Sequence, residues 1–137
     1  MLSLTREWVA KAESDYDGAC EALRSRKKSR SDRICFFSQQ CGEKYLKARL
    51  TEGGITFQKT HELSILLQLC LPIEPLWASF DRAFASHDAV CGPDSLSGNL
   101  GDVERSPARH SHLSAISFLR TPIARFTPVT VAFIRAR

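Results

Sequence analysis

An all-α, antiparallel up-and-down helical bundle is the fold that this sequence predicts for residues 1–84, and three observations predict it. Apolar residues recur at the 3.6-residue period of a helix in four successive stretches. Between those stretches lie a basic, apolar-free segment, a glycine pair and two prolines, each of which ends a helix for a physical reason. The links are short, which favours antiparallel neighbours. At 137 residues the chain fits one modest core.

In the first stretch Leu4, Trp8, Ala12, Tyr16, Ala19, Cys20 and Leu23 form the apolar seam, with Arg6, Glu7, Lys11, Glu13 and Asp17 on the other faces. Ser3 or Thr5 is expected to cap its start by accepting a bond from a free backbone N–H. Arg24 to Arg33 contains no apolar residue, repels itself as a helix and reads as a solvated loop. Ser31 or Asp32 opens a second helix with the seam Ile34, Phe37, Cys41, Tyr45 and Ala48, broadened by Leu46 and Leu50. Gly53-Gly54 ends it, since glycine enters the left-handed conformation that follows a helix C-terminus. Thr60 is expected to open a third, shorter helix bearing Leu63, Leu66, Leu67 and Cys70, which Pro72 stops. Pro75, at a favoured first-turn position, starts a fourth with Leu76, Trp77, Phe80 and Phe84 on its apolar face.

Composition narrows the class. The hydrophobic and charged fractions are ordinary and no run approaches the twenty apolar residues of a membrane span, so no membrane association is expected. The first residues lack the zones of a secretion signal, which makes a cytoplasmic location the expectation. Cys20, Cys35, Cys41, Cys70 and Cys91 show neither metal-site spacing nor a disulfide framework, so they are read as reduced, with no metal and no cofactor. A net charge of +4 permits nucleic-acid contact without requiring it.

One strip of the second helix carries chemistry. Helical geometry puts Gln40, Glu43, Lys44 and Lys47 on adjoining positions, a row of amide, carboxylate and ammonium groups beside the apolar seam. Exposed as the pattern predicts, that row can bind phosphate or a partner; the alternative is an ordinary Glu43–Lys47 pair on a wet face. His61, at a helix start, is either a local polar contact or a ligand or partner contact. The basic loop could grip phosphates, but it holds no aromatic residue for base stacking, and a solvated turn explains it as well.

Three clusters resemble the HEPN domain family. The first is Trp8, Lys11, Ala12, Glu13, Asp15 and Ala19. The second, Ile34-Cys35-Phe36-Phe37-Ser38-Gln39-Gln40-Cys41-Gly42-Glu43-Lys44-Tyr45-Leu46-Lys47-Ala48, is similar to the family's long second helix. The third is Lys59-Thr60-His61-Glu62-Leu63 followed by Leu66-Leu67. The resemblance covers about residues 4–84 and implies a bundle with two further helices. It implies three roles: an RNA endonuclease toxin, the partner of a small nucleotidyltransferase in a toxin-antitoxin-like pair, or a nucleotide-binding accessory domain, usually as a homodimer. Ribonucleases of the family use an Arg followed after four to six residues by a His, which move the 2′-hydroxyl proton and stabilise the phosphoryl charge without a metal. Arg82 and His87 have that spacing, as do Arg105 with His110 or His112, but Ala83 or Ser106 follows where the family has its usual polar residue. The accessory role is therefore the leading expectation, with a nucleotide or RNA as a possible ligand.

Residues 85–137 depart from the family. No lysine appears after Lys59, helical periodicity fades, and Pro, Ser and Arg dominate where two more helices belong, so an irregular or poorly ordered tail is expected. Back-translating Asp88 to Gly98 and reading from the second base permits Thr-Gln-Tyr-Ala-Val-Arg-Ile-Arg-Tyr-Pro, in register with the family's Tyr-Ala-Val and Arg-Tyr-Pro elements. Continuing over Asn99 to His110 permits the Glu-Ala opening of the family's last helix. A frame displaced near residues 85–88 by one extra nucleotide is the expectation, with a divergent tail as the alternative. A displaced tail leaves the bundle incomplete, and a product without function becomes a further reading.

Overall fold

The computed structural model describes residues 2–26, 30–82 and 84–85. The expected irregular tail from residue 86 onward, with His87, Arg105, His110 and His112, lies outside them. Among the described residues the fold is all-α: α1 (Ser3–Arg24), α2 (Arg30–Glu52), α3 (Leu63–Cys70) and a 3₁₀ helix (Pro75–Phe80), with no strand. No described helix is long and apolar enough to cross a membrane.

α1 and α2 pair antiparallel along their full lengths. Leu2 near the start of α1 donates its N–H to Glu52 at the end of α2, while Gly18 lies against Phe37 near the beginning of α2. A Cβ on Gly18 would sit 2.8 Å from the Phe37 ring, so glycine is what lets the two backbones approach there. The buried face of α1 is Thr5, Val9, Ala12, Ala19 and Ala22, rotated from the expected seam: Leu4 and Leu23 are exposed, and Trp8, Tyr16 and Cys20 lie at the edges. Small residues win the centre because close helix contact leaves no room for large ones. Neither Ser3 nor Thr5 caps the helix; Leu2 occupies the N-cap position without a side-chain bond.

α2 is central and buried on most of its circumference. Ile34, Cys41, Tyr45, Leu46, Ala48 and Leu50 are all buried, as the periodicity predicts. Its C-terminus closes as expected on the glycine pair: Gly54 has φ +66°, its N–H bonds the Thr51 carbonyl, and the Ile55 N–H reaches back to the Leu50 carbonyl. These two bonds form a Schellman motif, which satisfies carbonyls the helix leaves open.

After that turn the chain runs back along α2 without regular structure. Ile55 and Phe57 pack on the core, and His61 reaches Glu43 two turns and more before the end of α2. α3 begins at Leu63 rather than Thr60, because the Thr60 hydroxyl accepts the Glu62 N–H and holds the backbone in a local turn. Leu63, Leu66, Leu67 and Cys70 are buried, with Leu63 against Gly42 and the Cys70 thiol directed at the Leu46 carbonyl. Pro75 takes the first-turn position of the fourth element, which is a 3₁₀ helix. Trp77 and Phe84 are buried and Phe80 lies at the core margin, but Leu76 is 86% exposed, outside the expected apolar face. A three-residue turn carries Leu76 away from the face that Trp77 and Phe80 share. The Arg49–Glu74 ion pair, at 2.7 Å, ties this corner to α2.

Cys20, Cys41 and Cys70 are not disulfide-bonded. Burial pushes the Cys70 thiol up to about 12, against the lowering effect of Arg49, so it stays a packed, protonated group. Cys35 is half-buried, and Cys91 lies outside the described residues.

Candidate functional site

The polar strip predicted on the second helix comes together, but not as an exposed row. Glu43 and Lys47 are buried, at 4% and 6% residue exposure, and Gln40 and Lys44 are half-buried. This corrects both the ligand-facing ridge and the wet-face alternative. The cause is the returning connector, which lays Phe57 and His61 over a face that helical periodicity alone leaves open to water.

Each strip residue now has a defined environment. Lys47 donates to Glu43 at 2.6 Å, the i,i+4 pair of an α-helix, and its ammonium lies 5.6 Å from the Trp8 ring centroid and 6.0 Å from that of Phe57. Two aromatic faces thus supply part of the solvation that burial removes. The second Glu43 oxygen meets His61 Nδ1 at 3.0 Å. Gln39 donates its side-chain amide to the His61 carbonyl, so both the ring and the backbone of His61 are anchored on α2. Lys44 is held by Asp15 of α1, and on the opposite flank Tyr45 donates its hydroxyl to Glu13.

What remains accessible is the rim. The His61 side chain is 64% exposed although its Nδ1 is engaged, so the free edge of the ring, with Nε2, faces solvent. Lys11 is exposed, and its ammonium also lies 5.6 Å from the Trp8 centroid. Trp8 is half-buried and has two ammonium groups near its ring, one accessible and one enclosed. The periodicity marked Trp8 only as core and Lys11 only as an outward charge; Phe57, in a connector, carried no periodic signature at all. Contact across α1, α2 and the connector is what joins them.

The remaining candidates stand apart. Arg82 is exposed, and its expected companion His87 lies outside the described residues. Among the described residues no group of three or more His, Cys, Asp or Glu side chains is placed to hold a metal ion.

A family model of the HEPN domain matches residues 5–81, more than half of the chain and every residue of this cluster on α1, α2 and the connector. The chain belongs to the HEPN family. No curated protein and no solved structure matches it. Within the HEPN match fall Trp8, Lys11, the whole Gln39 to Lys47 network and His61, while His87 and every Arg or His of the tail lie beyond it.

Proposed function

We propose that this HEPN protein is a cytoplasmic binding module that dimerises, partners a small nucleotidyltransferase in a toxin-antitoxin-like pair, and takes a nucleotide on the rim where α1, α2 and the connector meet. The observation that carries the reading is Trp8, whose ring has the ammonium groups of Lys11 and Lys47 each 5.6 Å from its centroid. A nucleotide joins an aromatic base to a polyanion, and this rim offers a counterpart to each: an aromatic surface to stack on and a solvent-facing ammonium for phosphate. Glu43, Lys44 and Lys47 serve this site by holding its walls together, since their charges are already matched internally.

Calorimetric titration of the full chain with ATP tests the reading. Binding that falls about tenfold in Lys11→Ala and in Trp8→Phe with Lys11→Ala falls further is expected, from the ~1–3 kcal/mol that stacking and charge-assisted contacts contribute. A folded chain that takes up no ATP refutes it. Co-expression with a nucleotidyltransferase encoded beside it, followed by size-exclusion chromatography, tests the partner. RNA cleavage by the wild type that disappears in both Arg82→Ala and His87→Ala would replace the binding role with the endonuclease one.

A further inference from the structure

We infer that Glu43 fixes the tautomer of the neutral His61 imidazole, so that in this form Nε2 serves as a hydrogen-bond acceptor for a ligand hydroxyl. The first step is the charge state of the pair beneath the ring. A carboxylate engaged by an ammonium at 2.6 Å has only acceptor sites to offer. Its second oxygen stands 3.0 Å from His61 Nδ1, and two acceptors cannot face each other at that distance, so Nδ1 carries the proton. In the neutral imidazole the other nitrogen then has a lone pair and no hydrogen.

The second step is direction. His61 cannot turn its ring over without breaking the Glu43 contact, and the Gln39 amide holds its carbonyl against α2. With Nδ1 pointing down into the Glu43–Lys47 pair and the side chain 64% exposed, Nε2 is on the solvent side of the ring. A bare imidazole nitrogen meets a phosphate oxygen unfavourably, acceptor against acceptor, and meets a hydroxyl favourably. The group beside Nε2 of the neutral ring is therefore a donor. Resting on the nucleotide reading, this names the donor as a ribose hydroxyl and makes the site selective for ribonucleotides. Glu43 is a positioning residue, acting through His61 and touching no ligand.

Two measurements on the full chain test the inference. A proton–nitrogen multiple-bond correlation spectrum of the ligand-free protein, with the imidazoles neutral and the His61 signals assigned by their loss in His61→Ala, reads the tautomer directly. The Nδ1–H form is expected, although free histidine favours the other, and an Nε2–H form overturns the role of Glu43. Titration with ATP and with 2′,3′-dideoxy-ATP reads the contact: ATP is expected to bind about threefold to tenfold more tightly, the worth of one hydrogen bond. His61→Ala, at an exposed position, is expected to keep its fold and lose that preference. Equal affinity of the wild type for the two nucleotides overturns the hydroxyl contact. Binding of neither refutes the nucleotide reading and the ribose assignment with it, while the spectrum still decides the tautomer. Glu43→Gln, where it folds, is expected to return His61 to the Nε2–H form, and retention of the Nδ1–H form overturns the inference.

Discussion

Removing one partner of the Glu43–Lys47 pair is the perturbation that distinguishes a buried network from a surface one. Both side chains are almost wholly enclosed, at 6% and 7% exposure, and Lys47 is further surrounded by the rings of Trp8 and Phe57. Glu43→Ala leaves that ammonium desolvated and facing two hydrocarbon rings, and it also frees the His61 ring from its anchor. Breaking a buried pair in this way costs about 3–5 kcal/mol, against about 0–1 kcal/mol for a pair in water. A small domain has roughly 5–15 kcal/mol in total, so the variant loses about a fifth of its stability or more. Followed by circular dichroism in urea, with a slope of about 1.5 kcal/mol per molar, the midpoint is expected to fall by roughly 2–3 M. Glu43→Leu combined with Lys47→Met removes both charges while retaining bulk, and is expected to recover most of that loss. A single variant costing under about 1 kcal/mol, or a double variant worse than the single, would show that the pair is hydrated and the burial argument mistaken.

Four further outcomes are expected. Gly18→Val places a side chain against the Phe37 ring and is expected to destabilise by about 1–3 kcal/mol, with Phe37→Leu in the same chain relieving part of it in thermal melts. Gly54→Ala forces an L-residue to φ +66° and is expected to cost about 1 kcal/mol by the same measurement, although nothing crowds its Cβ position. The Cys70 thiol ionises near 9 when unfolded and near 12 when folded, so above pH 9 the unfolded state releases its proton first and stability falls as pH rises through that window; Cys70→Ala is expected to flatten this dependence in urea titrations between pH 8 and pH 11, and an unchanged slope would refute the burial of the thiol. We propose that the tail from about residue 85 is read in a displaced frame, and resequencing the DNA between the codons for Phe80 and Ser95 is expected to reveal one extra nucleotide; an uninterrupted frame encoding a stably folded chain would end the proposal.

The sequence alone determined the order of the elements and why several of them stop, although α2 begins at Arg30, within the stretch read as a solvated loop. The seam of α2 was legible because its buried residues repeat at helical spacing, and its end was legible because Gly54 is the residue type that a left-handed turn requires. Pro72 and Pro75 marked the corner after α3 for equally local reasons. The family match over residues 5–81 likewise coincides with the clusters around Trp8, Gln40 and His61 that carried the resemblance. Less local features were read less well. The start of α3 slipped by three residues because the Thr60 hydroxyl bonds the Glu62 N–H, and the α1 seam was rotated because Gly18 and several alanines set how closely the helices approach.

The candidate site depended on tertiary structure. Periodicity states which residues share a face of a helix, and it correctly grouped Glu43 with Lys47, but it carries no information about what else covers that face. A connector with no periodicity of its own brings Phe57 and His61 onto it, turning an expected surface row into a buried ion pair with an anchored imidazole at its rim. Burial is a property of the whole packed chain, set by contacts between residues far apart in sequence, whereas helix limits are set by the backbone chemistry of residues a few positions apart.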